Sequence, residues 1–229
     1  MRAALLVIFL LQASATMATE IVLSAPGGDG WRVLNFPRIQ RHTTYTSVHV
    51  DGMDATKADG ECAASALYLP LDELDLSKTP RLQWRWKIAA ALTVPNERIN
   101  AGDDFAARVS VMFRFDAAHA SLWERVTHGL GTRLYGDTVP GHAIEYVWSS
   151  HEPARATWES PYSAASRLKA LRTQPVAEWA SETVDVAADY AAFFGHEPPP
   201  VIAVGLMTDS DDTCQHATAY YADFRFVGP

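Results

Sequence analysis

The stretch Gly102-Asp103-Asp104-Phe105-Ala106-Ala107-Arg108-Val109-Ser110-Val111-Met112-Phe113-Arg114-Phe115 decides the fold class. Every odd position from Phe105 to Phe115 is apolar, whereas Arg108 and Ser110 occupy even positions. Successive side chains of a β-strand point to opposite faces of its sheet, so this alternation predicts a strand with one face in a core. The other face would carry a line of polar and ionised groups.

Short runs of the same kind recur along the chain and predict about ten strands. Turn signals such as Asp51-Gly52 and Thr79-Pro80 separate them. Strands in series without long helices between them predict an all-β fold, an antiparallel two-sheet β-sandwich (jelly roll) with one or two short helices, at Ala117–His128 and Val186–Phe194. The predicted strands are Trp31–Phe36, Tyr45–Val50, Cys62–Leu69, Leu82–Ile88, Asp104–Phe115, Ala143–Trp148, Arg167–Thr173, Ser181–Val186, Val201–Met207 and Ala219–Val227.

The N-terminus has the pattern of a secretory signal peptide. Arg2 precedes the apolar run Ala3–Leu11, and small residues follow at the spacing a signal peptidase reads. We therefore expect a signal peptide at residues 1–18, a single β-sandwich domain at residues 19–229, and a periplasmic or secreted protein. No apolar run approaches the roughly 20 residues of a transmembrane helix.

Charge and cysteine content narrow the partners and the compartment. The formal net charge is −8. This argues against nucleic acid as a partner, because proteins that bind its phosphates carry an excess of Lys and Arg. Cys62 and Cys214 are the two cysteines, and in an oxidising compartment we expect them to pair. Two free thiols are the alternative.

Six segments spread along the chain together form a recognisable pattern: Trp84–Lys87, Gly102–Arg108, Tyr146–Trp148, Asp185–Tyr190, Phe194–Gly195 and Met207–Thr213. In this order they resemble a bacterial family catalogued as domain of unknown function 3047. The resemblance implies an exported envelope protein and no particular reaction. The chain departs from the family pattern at Glu145, where Asn is expected, and at Val184, where Arg is expected.

Two features suggest a structural calcium ion. The segment Tyr220–Phe226 resembles the closing strand of galactose-binding-like jelly-roll carbohydrate-binding modules, and the resemblance implies Asp223 as a ligand. A solvated aspartate on an outer strand face is the alternative for Asp223. Separately, Asp209 and Asp211 alternate in an acidic loop, and such carboxylates can converge on one cation; a turn stabilised by its own side chains explains the loop equally well. No other cofactor is predicted, and the eight histidines, which show no HxH or HExxH spacing, predict no zinc site.

The candidate ligand-binding residues come from the polar faces of two strands. If Leu82–Ile88 and Asp104–Phe115 were neighbours in one sheet, Arg85 would join Asp104 and Arg108 in a basic cleft, with room above the small Ala106 and Ser110. A solvated outer face is the alternative. Tyr146 and Trp148 could stack on a sugar, although core packing explains them too, and Glu145 could pair with Asp104 as two carboxylates.

These observations favour an exported β-sandwich that binds a carbohydrate in a concave cleft, with an anionic or cell-envelope glycan as the expected class. One alternative is a glycan-cleaving enzyme. A polysaccharide lyase would use Arg108 with Tyr146 or His142, and it is preferred over a glycoside hydrolase using Asp104 and Glu145. A protein-interaction module of the envelope is the third possibility.

Overall fold

The protein is a two-sheet β-sandwich in a computed structural model that describes residues 19–89, 92–121, 125, 128–129, 139–173 and 177–229. This confirms the predicted fold class. The predicted signal peptide, part of the helix predicted at Ala117–His128, and residues 130–138 lie outside the described residues. The described strands are β1 Glu20–Val22, β2 Arg32–Leu34, β3 Thr44–Val50, β4 Met53–Glu61, β5 Ala66–Leu74, β6 Arg81–Ile88, β7 Ala107–Phe113, β8 Ala143–Ser149, β9 Thr157–Glu159, β10 Ser166–Thr173, β11 Ala180–Asp185, β12 Val201–Met207 and β13 His216–Val227.

The strands form a six-stranded and a seven-stranded sheet. The six-stranded sheet has the order β11-β6-β13-β4-β3, with β1 paired to the far end of β13, and the seven-stranded sheet has the order β2-β5-β12-β7-β8-β10-β9. Pairing is antiparallel except between β8 and β10, which run parallel. Strands β12 and β13 come late in the sequence but occupy internal positions in the two sheets. Each lies between two strands that come much earlier in the sequence.

The core lies between the two sheets and is rich in aromatic rings. Trp84 and Trp86 of β6 face Tyr146 and Trp148 of β8, with ring centroids 5.7 Å apart for Trp84–Tyr146 and 5.4 Å apart for Trp86–Trp148. All four rings are buried. Because β6 and β7 belong to different sheets, the prediction that they are neighbours in one sheet is wrong, and the basic cleft that depended on it does not form.

One α-helix is described, α1 at Val186–Phe194, and it matches the predicted bounds. The Asp185 carboxylate accepts a hydrogen bond from the Ala188 amide at the N-terminus, and Gly195 ends the helix with φ 80°. A side-chain oxygen satisfies an amide that has no partner within the helix, and glycine adopts the left-handed conformation without steric cost.

The predicted disulfide between Cys62 and Cys214 is present. It joins the end of β4 to the loop between β12 and β13, residues 208–215, which we call the acidic loop. The Cys62 amide also donates to the Gln215 carbonyl, and the Ser210 amide donates to the Ala63 carbonyl. The acidic loop is thus fixed to the β4–β5 connection by a covalent bond and by backbone hydrogen bonds. No described helix has the length and apolarity needed to cross a membrane.

Candidate functional site

Arg108 lies at the centre of a buried charge cluster on the face of the seven-stranded sheet that points away from the other sheet. Val109, Val111 and Phe113 of β7 fill the core between the sheets, so the alternation places Arg108 on the opposite face. The residue is nevertheless only 6% exposed. The Phe105 ring packs 4.7 Å from the guanidinium carbon, which helps to exclude water from the charge.

The guanidinium of Arg108 contacts three acidic residues that lie far apart in the sequence. It donates to Glu145 Oε2 at 2.6 Å, to Asp209 Oδ2 at 2.8 Å and to the Asp103 carbonyl at 2.8 Å. The Asp103 carboxylate is also 3.5 Å from the guanidinium. Ser166 donates to the second oxygen of Glu145 at 2.6 Å. One buried cation therefore holds β8, the acidic loop and the segment before β7 together.

Burial of several carboxylates around one arginine changes their titration. Burial raises the pKa of Asp103 to about 6, although the Arg108 charge acts in the opposite direction. Burial also raises the pKa of Asp209, and Asp104 and Asp103 raise it further by repulsion. Desolvation disfavours the charged form of an acid, so acids in excess of the single arginine take up protons more readily than in water.

Asp104, next to this cluster, does not contact Arg108 and instead anchors the acidic loop. Its carboxylate accepts hydrogen bonds at 2.6 Å from both the amide and the hydroxyl of Thr213, and at 3.2 Å from the Asp212 amide. The carboxylate has no exposed surface. Asp104 therefore stabilises the loop from inside and does not share a surface with Arg85, with which we predicted it to form a basic cleft.

Asp104, Asp209 and Asp211 offer carboxylate oxygens that lie within 4.8 Å of one another. Oxygen ligands at this spacing suit a hard cation such as calcium. The structure brings Asp209 and Asp211 together as predicted, but their third neighbour is Asp104 and not Asp223. Asp223 lies in a bulge of β13 with φ 58°, in the other sheet, and its carboxylate is 3.9 Å from Arg85.

The predicted stacking residues Tyr146 and Trp148 are parts of the core, 0% and 2% exposed. The Tyr146 hydroxyl donates to Asp189 at 3.0 Å. Burial raises the pKa of Tyr146, and the charge of Asp189 raises it further. Tyr146 and Trp148 share the inward face of β8 with Ile144. This alternation in Ala143–Trp148 was the signal in the sequence for core packing.

A second group of residues lies on the exposed face of the six-stranded sheet, which we call the outer face. Tyr220 of β13 pairs with Lys57 of β4 on one side and with Lys87 of β6 on the other, so the three side chains form a row across the sheet. Trp179 directly precedes β11 and extends the row, because Ala180 pairs with Trp86. All four side chains are partly exposed.

The outer face holds two aromatic rings between cationic groups. The rings of Trp179 and Tyr220 have centroids 6.3 Å apart. The Arg85 guanidinium lies 5.7 Å from the Trp179 ring, and the Lys87 ammonium lies 5.9 Å from the Tyr220 ring. Asp51 connects the group, accepting from Lys87 at 2.9 Å and from the Trp179 indole at 3.1 Å.

Of the predicted ligand-binding residues, Arg85 lies on the outer face, while Arg108, Glu145 and Asp104 lie in or beside the buried cluster. The sequence reasoning did not single out Tyr220. The alternation of the last strand offered the signal, since Tyr220 and Tyr221 must point to opposite faces and Tyr221 is fully buried.

Of three similar solved structures, the first, at a TM-score of 0.50, supports the fold. The family 11 carbohydrate-binding module of a Clostridium thermocellum cellulase aligns over 93% of this chain and 97% of its own, with a TM-score of 0.50 and 9% identity. The family 30 module from the same organism aligns over 90% of this chain and 96% of its own, with a TM-score of 0.48 and 10% identity. Endoglucanase 3 of Trichoderma harzianum, from family GH12, aligns over 94% of this chain and 99% of its own, with a TM-score of 0.44 and 9% identity.

At these identities the likeness to solved structures shows the fold alone. No curated protein sequence matches the chain. The model of one protein family, described as protein of unknown function (DUF3047), matches residues 29–225. The match spans most of both sheets, with the buried cluster and the outer face, and it agrees with the resemblance found in the sequence. The chain therefore belongs to the DUF3047 family.

Proposed function

We propose that the protein binds a carbohydrate on the outer face, with Trp179 and Tyr220 as the stacking platform. The observation that carries this proposal is the pair of partly exposed rings, with centroids 6.3 Å apart, on a polar sheet face. Aromatic rings supply a large apolar contact with little conformational entropy to lose, and sugar rings present C–H faces that pack on them. The flanking ionic groups can bond the hydroxyls of the sugar.

The charge balance of the outer face favours a neutral glycan over the anionic one that the strand pattern predicts. Each cation of the platform has a carboxylate nearby. Lys87 is 2.9 Å from Asp51, and Arg85 is 3.9 Å from Asp223; Lys57 is likewise 2.6 Å from Asp59. An anionic sugar would have to compete with these carboxylates, whereas hydroxyl groups can accept from the cations and donate to the acids together.

The lyase alternative is disfavoured by where its residues lie. Tyr146 faces the core between the sheets, whereas Arg108 of the neighbouring strand faces the opposite side of the seven-stranded sheet. His142 contacts the Tyr190 hydroxyl at 2.8 Å. An arginine that neutralises a uronate must share a surface with the catalytic base, and Arg108 and Tyr146 share none.

Affinity electrophoresis through gels that contain a neutral polysaccharide or a uronate polysaccharide tests the proposal. We expect a neutral polysaccharide to retard the wild-type protein, and Trp179→Ala and Tyr220→Ala each to weaken retention by about tenfold, the value of one lost stacking contact of about 1.4 kcal/mol. Tyr162→Ala is the matched control, because Tyr162 is a 58% exposed aromatic residue beside the acidic loop.

Three results would overturn the proposal. The first is the absence of retention by every polysaccharide, which would favour a protein-interaction module. The second is an equal loss in Trp179→Ala and Tyr162→Ala, with circular dichroism showing that both variants are folded. The third is the release of new reducing ends or unsaturated uronates by the wild-type protein, since turnover would make it an enzyme.

A further inference from the structure

We propose that Asp116, His119 and His196 form a binding site for a transition-metal ion, with Zn²⁺ as the ion to test. Asp116 and His119 lie in the turn that follows β7, and His196 directly follows the end of α1. One ligand atom from each residue lies within 4.8 Å of the others. The topology brings together His119 and His196, which lie 77 positions apart in the sequence. A local spacing such as HxH or HExxH could therefore not reveal this group, and the sequence predicted no zinc site.

The hydrogen bonds around the two histidines indicate which atoms could bind a metal. His196 Nδ1 is 3.0 Å from the Glu197 carbonyl oxygen, which accepts, so Nδ1 carries a proton and Nε2 can present a lone pair. His119 Nδ1 is 2.6 Å from Asp116 Oδ2, so a metal bound by both residues would take the place of the proton between these two atoms. Histidines that ligate a metal are oriented, as His196 is, by a hydrogen bond from the opposite nitrogen.

The two rings are held together before any metal binds. The rings of His119 and His196 are stacked with centroids 4.1 Å apart and planes 13° apart. The ligands of a tetrahedral zinc ion, about 2.0–2.1 Å from the metal, lie about 3.4 Å from one another. One ligand atom from each residue already lies within 4.8 Å of the others, so small shifts bring them to this spacing, and the His119 side chain, 54% exposed, has space to turn out of the stack.

The chemistry of the donors selects the class of metal. Two imidazole nitrogens with one carboxylate suit zinc and the neighbouring divalent transition metals, whereas calcium prefers oxygen ligands alone. Three protein ligands leave at least one coordination position for water or an outside ligand. The group therefore differs in its donor atoms from the three carboxylates of Asp104, Asp209 and Asp211. A metal bound here would join the turn after β7 to the end of α1.

Isothermal titration of the untagged full chain with ZnCl₂ at pH 7.5 tests the site. We expect uptake of one Zn²⁺ by the wild-type protein and at least about tenfold weaker binding by His119→Ala and His196→Ala, since even outer partners of metal ligands affect affinity tenfold or more. His49→Ala is the matched control, because His49 forms an exposed pair with Asp54 at 2.7 Å. It should bind Zn²⁺ like the wild type.

A second measurement separates metal binding from loss of fold. Zn²⁺ should raise the thermal midpoint of the wild-type protein and leave that of His196→Ala unchanged, because a ligand stabilises only the state that binds it. CaCl₂ should not reproduce this effect through the same histidines. The absence of Zn²⁺ uptake by the wild type, or equal affinity in a folded His196→Ala, would overturn the proposal.

Discussion

Replacing Arg108 with Met tests whether the buried cluster stabilises the protein. The substitution keeps much of the side-chain volume but removes the guanidinium that Glu145, Asp209 and Asp103 share. The Asp209 and Asp103 side chains are 3% and 5% exposed, so water cannot replace the lost charge. Removing one partner of a buried ion pair costs about 3–5 kcal/mol, because the remaining charge stays buried without compensation.

Urea unfolding followed by tryptophan fluorescence measures this loss, with the disulfide intact. For a protein of this size about 3–5 kcal/mol corresponds to a fall of roughly 6–20 °C in the thermal midpoint. Arg114→Met is the control, since Arg114 directly follows the same strand but is 51% exposed and pairs with Glu73 at the surface. An exposed pair contributes about 0–1 kcal/mol. Equal, small losses in the two variants would refute the reasoning.

Two further predictions concern pH and the disulfide. The pKa of Asp103 is raised to about 6 from 3.8, so the folded protein binds more protons than the unfolded chain between about pH 4 and 6. This carboxyl therefore makes the free energy of unfolding fall as pH rises through that window. Asp103→Asn should flatten the slope of the urea midpoint against pH, and an unchanged slope would contradict the assignment. Replacing Cys62 and Cys214 together with serine should lower the free energy of unfolding by about 5 kcal/mol, the chain-entropy value for a loop of 152 residues, and a urea midpoint equal to that of the wild type would contradict it.

The sequence predicted most of the sandwich because strand alternation is a local property. Val201–Met207 matches β12 at both ends, and Leu82–Ile88 matches β6 to within one residue. It did not predict β4, since that strand buries small residues such as Ala55, Ala58 and Gly60, and its Asp59-Gly60 pair is typical of a turn. A Cβ at Gly60 would lie 3.0 Å from the Ala63 Cβ and 3.2 Å from the Thr43 hydroxyl oxygen, so the close approach of these two residues explains the glycine.

The candidate sites were harder to predict because they depend on which strands become neighbours. The pattern correctly placed Arg108 on a polar face, but it could not reveal that Glu145 and Asp209 would cover that face. The face that Tyr146 and Trp148 share with Ile144 favoured core packing, but it could not reveal that β6 would lie opposite β8. Pairing between distant strands is a global property, and hydrophobic periodicity alone does not encode it.

The internal positions of β12 and β13 set the order in which this chain can acquire its structure. Before the residues from Val201 to Val227 leave the ribosome, β5 and β7 lack the strand between them in one sheet, and β4 and β6 lack theirs in the other. Open strand edges of that kind pair readily with other chains. The two sheets can therefore be completed only after this segment has been synthesised, in a late and slow step dominated by contacts between distant parts of the sequence.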